Sequence, residues 1–166
     1  MEHDKKWYAI YTRARHEKKV ETQILGKGIE AYVPVREVLR QWSDRKKWVK
    51  EPLFSCYCFV HATDKERYDA VQSYGAVRVL GFNGQASIVR DVEIENIKKI
   101  LKEIPDLESC QSFKIGDRVQ IVRGNLAGLE GYLDEDRGGN RFVVNISSIQ
   151  QAVRFNIALA DIEKIS

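Results

Sequence analysis

The sequence predicts an α+β protein of two domains: an N-terminal α/β sandwich with a mainly antiparallel sheet, and a C-terminal five-stranded SH3-like β-barrel. Strand and helix patterns alternate through Ile104, whereas every periodic segment from Phe113 onward has the pattern of a strand. Between these regions Pro105 ends a helical pattern, and the polar run after it has little periodicity. We therefore expect one domain at residues 1–106, a linker at 107–112 and a second domain at 113–166.

The first domain is predicted to run in the order strand, helix, strand, strand, helix, strand, helix. Aromatic and branched side chains favour the strands, and Pro34 indicates an edge strand or a bulge because proline cannot donate to a sheet. Thr63 and Glu66 form a capping box ahead of the second helix, and Asn83-Gly84 favours a tight hairpin. The predicted segments are strand 6–12, helix 16–25, strand 31–39, an exposed loop or hairpin at 40–50, strand 53–61, a helix after Thr63, strands 76–82 and 85–89, and a helix from Asp91 whose apolar stripe is Ile94, Ile97, Leu101 and Ile104.

The second domain opens with the run FKIGDRVQIVRGNLAGLEG, where an alternating apolar strand leads into Gly124, Gly128 and Gly131. These glycines predict positive φ angles or a close approach of two strands that a Cβ would block. Ile115 and Val119 are expected to face the interior, and the β-branched and aromatic residues further on favour strands. The predicted strands are 117–123, 129–135, 141–147, 152–158 and 161–165, with a turn at 137–140.

Positive charge is concentrated near the N-terminus. Residues 1–50 hold 13 Lys or Arg against 7 Asp or Glu, although the whole chain carries a formal charge of only +3. Such density attracts a phosphate backbone, and the alternative is an ordinary solvated surface. The charges form two groups: Arg13, Arg15, Lys18, Lys19 and Lys27, and then Arg40, Arg45, Lys46, Lys47 and Lys50.

Several classes of function lack support in the sequence. It contains no motif of the H-E-x-x-H, G-x-S-x-G or phosphate-loop kind, so we expect a binding protein, not an enzyme, with no cofactor. Cys58 and His61 have the spacing of a metal-ligand pair, but no second pair follows. The odd number of cysteines favours reduced thiols, and no segment has the length of a membrane span or the pattern of a secretory signal. We expect a cytoplasmic protein with no membrane partner.

Two parts of the sequence resemble known families. The glycine-containing run resembles a KOW motif, carried here by Gly116, Asp117, Val119, Gly124, Gly128 and Gly131. The segments KWYAIYTRARHEKKV, YVPVREV, PLFSCYCFV and GAVRVLGF, followed by that run, are similar in order and spacing to NusG-type transcription elongation factors. The resemblance covers nearly the whole chain.

The resemblance implies an N-terminal domain of the NGN type that binds the clamp of RNA polymerase and suppresses pausing. The family's docking residues correspond to Tyr8, Tyr11, Phe54 and Tyr57, for which core packing is the alternative. Phe54 and Tyr57 have opposite parity in a strand, so presenting both requires a bulge or bend at Ser55-Cys56. The residues that match the family's surface toward non-template DNA of the transcription bubble are Arg13, Lys19 and Lys27, with Arg15 and Lys18 nearby.

The KOW domain of the family contacts a ribosomal protein or a termination factor through a loop that contains phenylalanine and glycine. This chain has Ser147-Ser148-Ile149-Gln150-Gln151 there, which makes it more similar to specialised paralogues that act on particular long operons. Two other functions stay open: an RNA- or ribosome-associated KOW protein, and a protein adaptor.

Overall fold

The computed structural model describes residues 4–111, 116–136 and 139–165. The chain divides into two compact units, one of residues 1–35 and 51–95 and the other of residues 36–50 and 96–166. The helices are α1 (Glu17–Gly26), α2 (Asp64–Val71) and α3 (Asp91–Glu103). The strands are β1 (Lys6–Thr12), β2 (Glu30–Tyr32), β3 (Val35–Gln41), β4 (Lys46–Pro52), β5 (Tyr57–Ala62), β6 (Ala76–Val79), β7 (Gly81–Phe82), β8 (Gln85–Ala86), β9 (Ile88–Val89), β10 (Glu108–Gln111), β11 (Arg118–Ile121), β12 (Glu130–Asp136), β13 (Gly139–Ile146), β14 (Gln151–Asn156) and β15 (Ile162–Lys164).

The first unit is built on an antiparallel sheet in the order β2-β5-β1-β6, with β9 also paired to β1. Tyr8 and Ile10 of β1 face a buried cluster that includes Val20 and Ile24 of α1 and Ala70 of α2. Alternation along β1 places Trp7 and Ala9 on the other face, where both are also buried. The central strand is therefore covered on two sides, and the mixed α/β prediction with an antiparallel sheet is confirmed.

Local sequence signals explain the boundaries of several elements. Thr63 Oγ1 accepts from Glu66 N at 3.2 Å while Glu66 Oε2 accepts from Thr63 N at 2.9 Å, so the predicted capping box is present. Asn83 and Gly84 take φ angles of 52° and 76° in the predicted tight hairpin between β7 and β8. On α3 the fully buried residues are Ile94, Ile97 and Ile100, so the apolar stripe was predicted correctly at its start.

Four predicted strands differ from the structure. The strands predicted at 76–82 and 85–89 are divided into β6 and β7 and into β8 and β9. The strand predicted at 31–39 is divided into β2 and β3 by Val33-Pro34, and the carbonyl of Pro34 accepts a hydrogen bond from Leu53 N at 2.9 Å. The strand predicted at 53–61 begins only at Tyr57, because Ser55 and Cys56 form a turn in which Cys56 has a φ of 69°. The predicted exposed segment at 40–50 is the end of the β3-β4 hairpin.

The second unit contains an antiparallel sheet in the order β10-β14-β13-β12-β11-β15. Five of its strands, β11 to β15, coincide closely with those predicted for the tail, and β10 arises from residues of the predicted linker by pairing with β14. Within the described ranges this sheet has two ends, β10 and β15, so its pairings do not close into the five-stranded barrel that the sequence predicted. Phe113 and Ile115 of the opening run and Arg137-Gly138 of the predicted turn lie outside the described residues.

Glycines of the KOW-like run occupy positions that exclude a side chain for two different reasons. Gly124 and Gly128 have φ angles of 81° and 95° in the turn between β11 and β12. A Cβ on Gly131 would collide with the carbonyl oxygen of Val143 and lie 2.8 Å from the ring of Phe142. The close approach of β12 to β13 therefore depends on Gly131, as the spacing predicted.

Candidate functional site

An aromatic pair, of exposed Tyr11 and half-buried Tyr57, lies at one end of the sheet of the first unit. Tyr11 and Tyr57 are directly paired across β1 and β5, so their side chains share a face, and their rings meet edge to face with centroids 5.9 Å apart. Arg78 of β6 is paired with Tyr11 on the other side, and its guanidinium lies 5.7 Å from the Tyr11 ring. Three adjacent strands thus contribute a row of two tyrosines and a cation, which we call the tyrosine row.

The other two predicted docking residues are buried. Tyr8 is 4% exposed and faces the cluster of α1 and α2, while the guanidinium of Arg67 lies 4.8 Å from its ring. Phe54 is 2% exposed and packs edge to face on Phe59 at 6.3 Å, on the face that Tyr57 shares. The turn at Ser55-Cys56 therefore supplies the bend that the sequence required, and Phe54 supports the tyrosine row from within the core.

A second candidate surface surrounds Tyr74, which is 66% exposed in the turn after α2. Gln23 of α1 fixes its backbone: Gln23 Nε2 donates to Tyr74 O at 2.8 Å, and Tyr74 N donates to Gln23 Oε1 at 2.9 Å. The guanidinium of Arg13 lies 5.8 Å from the Tyr74 ring and the ring of His16 lies 5.7 Å from it. An exposed ring beside cations can stack on a base while the cations contact phosphates.

The predicted basic residues do not all contribute to this Tyr74 surface. Lys27 Nζ donates to Asp69 O at 2.7 Å and to Ser73 Oγ at 3.2 Å, so its ammonium satisfies one carbonyl group at the end of α2 and a hydroxyl just after it. Lys18 forms an ion pair with Glu21 at 3.7 Å on the same helix. Arg15 and Lys19 are exposed, and Arg15 has a φ of 63° in the turn before α1. The structure brings Arg13 to Tyr74 and gives Lys27 a structural contact.

Sequence reasoning missed His16, Gln23 and Tyr74. Gln23 is separated from Tyr74 by 51 residues, so no local pattern connects them. The sequence signal that could have indicated this surface is the pair Tyr74-Gly75 directly after a helix. Gly75 has a φ of 94°, and a Cβ on it would lie 2.9 Å from the ring of His16, so the turn that presents Tyr74 requires glycine.

Residues 147–151 of the second unit, where the resemblance implies a partner-binding loop, include a short 3-10 turn at Ser147–Ile149. Ile149 is 3% exposed, so its apolar side chain belongs to the core, whereas Ser147 and Gln150 are exposed. Gly116 and Asp117 precede β11, and Val119 of that strand is buried as predicted. The surface of this turn is therefore polar.

Cys58 and His61, which have the spacing of a metal-ligand pair, have contacts within the first unit. Burial raises the pKa of the Cys58 thiol to about 12, and the charge of Glu21 adds to the effect. The ring of His61 stacks on that of Trp7, and its Nδ1 lies 3.3 Å from Glu30 Oε2. Within residues 4–111, 116–136 and 139–165 no group of three His, Cys, Asp or Glu side chains could hold a metal ion. In the same part of the chain, no helix is both long and apolar enough to cross a membrane.

Similar sequences and folds occur among known protein families and solved structures. Residues 5–98 match the family model named NusG and described as transcription termination factor nusG. The fold is similar to that of NusG from Thermotoga maritima, in a structure concerned with domain interaction, with a TM-score of 0.57, 24% identity and complete coverage of both chains. The MjSpt4:Spt5 complex in its conformation A aligns with a TM-score of 0.33 and 13% identity over 96% of this chain and 98% of that chain. No curated protein matches the sequence. Because the matched segment spans more than half of the chain, the protein belongs to the NusG family of transcription factors.

Proposed function

We propose that this protein is a transcription elongation or antitermination factor whose tyrosine row binds the clamp region of RNA polymerase. The observation that carries the proposal is the contact between the rings of Tyr11, which is exposed, and Tyr57, which is half-buried, in a chain of the NusG family. The other tryptophan, tyrosine and phenylalanine residues of β1 and β5 are buried. Tyrosine and arginine are both among the residue types enriched at the hot spots of protein interfaces. Phe54 and Tyr8 act by holding the sheet behind the pair.

Binding alone accounts for the proposed activity. A protein that contacts the polymerase more favourably in its processive state than in its paused state shifts the population toward the processive one by that difference in affinity. Non-covalent contacts are sufficient, so the protein is proposed to act without catalysis and without a cofactor, in the cytoplasm.

The Tyr74 surface is proposed to contact non-template DNA beside the polymerase. Arg13, Arg15 and Lys19 are exposed and supply charge for phosphates, and Tyr74 offers a ring to an unpaired base. Lys18 and Lys27 add to the positive potential there, although Lys27 is also bonded to α2.

The second unit is proposed to be a KOW-type barrel domain, and the chain a specialised paralogue that serves particular long operons. The glycines at the tight turn and at the close strand approach support the KOW assignment. The polar turn at Ser147–Ile149 supports the paralogue assignment, because it offers no exposed apolar side chain to a ribosomal protein or a termination factor.

Retention of core RNA polymerase by the immobilised full chain tests the proposal. We expect the wild type to retain polymerase and Tyr57→Ala to lower its affinity by about tenfold or more, the usual cost of truncating a central interface aromatic. Tyr68→Ala is the matched control, since Tyr68 is a tyrosine exposed to 65% on α2 and should leave retention unchanged.

Retention of RNA without polymerase would instead support the alternative, an RNA- or ribosome-associated binding protein. Equal retention of polymerase by wild type and Tyr57→Ala would refute the role of the tyrosine row while leaving family membership intact.

A further inference from the structure

The β3-β4 hairpin carries the second basic group of the sequence, which neither candidate surface uses. Its end comprises residues 40–48, all of them exposed. This segment, which we call the hairpin tip, contains four cations and one acidic residue, Asp44, among its nine residues. A charged run of this kind is usually solvated surface, so a function requires something more than charge.

The hairpin tip also exposes two tryptophans. Trp42 is 46% exposed and Trp48 is 66% exposed, whereas Trp7, in the first unit, is 6% exposed. Tryptophan is strongly buried on average, and exposed tryptophan is enriched where proteins bind partners. Two such residues within seven positions of a basic loop distinguish the tip from an ordinary solvated surface.

The pairing of the hairpin determines which side chains share a face. Trp42 N donates to Arg45 O at 2.7 Å, so these residues close a two-residue loop of Ser43-Asp44. Counting back from that pair sets Arg40 opposite Lys47 and Leu39 opposite Trp48. The ion pair of Glu37 with Lys50 at 3.8 Å agrees with this register.

On one face of the hairpin tip, several cations therefore lie around the ring of Trp42. Arg45 lies 5.9 Å and Lys47 5.1 Å from the ring of Trp42, and Arg40 belongs to the same face by the register. The opposite face carries Trp48, with lysines to either side of it along the ribbon: Lys46 and Lys50. The Trp42 face thus combines a ring with three cations, and the Trp48 face combines a ring with Lys46 and with Lys50, whose charge is paired with that of Glu37.

We propose that the hairpin tip is a binding site for single-stranded nucleic acid, in which Trp48 stacks on an unpaired base and the surrounding lysines and arginines contact phosphates. Single strands expose base faces together with phosphates, which matches rings and cations alternating on a narrow ribbon. A duplex offers phosphates and base edges only, and so leaves the exposed ring of Trp48 without a partner. The site is separate in sequence from the Tyr74 surface and needs no polymerase.

Fluorescence anisotropy with labelled oligonucleotides of about 12 nucleotides, a length within the range that one such module covers, tests the site. The probes are oligo(U) RNA, oligo(dT) DNA and a duplex of equal length, added to the full chain without polymerase. We expect a single strand to bind more tightly than the duplex, and Trp48→Ala to weaken that binding by about tenfold. Trp48→Phe should restore most of it, because the smaller ring still stacks.

Two further variants test separately the charge of the hairpin tip and the position of the binding site. Lys46→Gln, on the face of Trp48, should lower the slope of log affinity against log salt by about 0.7, the value for one phosphate contact on a single strand. Phe82→Ala, which removes an aromatic ring exposed to 78% in the first unit, should leave binding unchanged.

Three results would overturn the proposal: no binding of either single strand, tighter binding of the duplex, or equal affinity of wild type and Trp48→Ala. If Lys19→Ala alone abolished binding, the Tyr74 surface would be the site and the hairpin tip would not. Preference between RNA and DNA identifies which single strand the tip takes.

Discussion

Gly131 is a residue of the second unit at which even a methyl group should lower the stability of the fold. A methyl group there would collide with the carbonyl oxygen of Val143 and press on the ring of Phe142, which is fully buried. We expect Gly131→Ala to lower the free energy of unfolding by about 2 kcal/mol, within the range for overpacked cores. Urea denaturation followed by circular dichroism measures this change in the free energy of unfolding.

Gly26→Ala is the matched control for that substitution. Gly26 is the last residue of α1, and a Cβ there meets nothing within 4 Å. We expect the free energy of unfolding to stay unchanged or to rise by about 0.5 kcal/mol, because alanine lowers the entropy of the unfolded chain. Equal destabilisation by both variants would contradict the close approach of β12 and β13.

The three cysteines should differ in their reaction with a thiol reagent. Cys58 is fully buried with a pKa raised to about 12, whereas Cys56 and Cys110 are half-buried. Only the thiolate is the nucleophile, so we expect Cys58 to react after unfolding and the other two to react slowly in the native protein at pH 8. Mass spectrometry of the labelled peptides distinguishes the sites, and rapid native labelling of Cys58 would contradict the burial of β5.

Among the helices, the capping box of α2 makes a contribution that depends on pH. The hydrogen bond from Thr63 N is the largest cause that lowers the pKa of Glu66, followed by effects of Lys5. A carboxyl whose pKa is lower in the folded state stabilises the protein above its unfolded pKa and loses that effect as pH falls through the folded pKa. We expect Glu66→Gln to remove this part of the acid sensitivity in urea denaturations between about pH 5 and pH 3.

Replacing the hydroxyl at the other end of the box should act at every pH. Thr63→Ala removes the acceptor for Glu66 N and should lower the free energy of unfolding by about 1 kcal/mol. Thr22→Ala is the control, because its hydroxyl lies in the middle of α1 and donates only to Lys18 O. Thr22→Ala should change the free energy of unfolding by no more than about 0.5 kcal/mol.

The elements that could be predicted from the sequence are those fixed by neighbouring residues. The capping box, the Asn83-Gly84 hairpin and the start of the α3 stripe depend on residues within a few positions of one another. The division of β2 from β3 depends on a long-range bond to Pro34, and β10 depends on pairing with β14. In the candidate site, the exposure of Tyr11 and the burial of Tyr8 follow from which face α1 and α2 cover, and the sequence alone does not specify that face.

Considered as one chain, the protein has two units with internal cores of their own. Separate cores can open independently, and hydrogen exchange detects such local opening. We expect Gly131→Ala to reduce amide protection in β12, β13 and β14 and to leave the protection of β1 and β5 unchanged. Uniform loss of protection along the chain would show instead that the two units unfold as a single cooperative body.

The two-residue loop of the β3-β4 hairpin restricts how related chains can vary in length. Because side chains alternate between the faces of a ribbon, one residue added to a single arm would transfer every later side chain of that arm to the other side. Arg40 and Lys47 would then no longer share a surface with the ring of Trp42. Insertions and deletions in relatives that keep this arrangement should therefore occur in matched pairs, one in each arm.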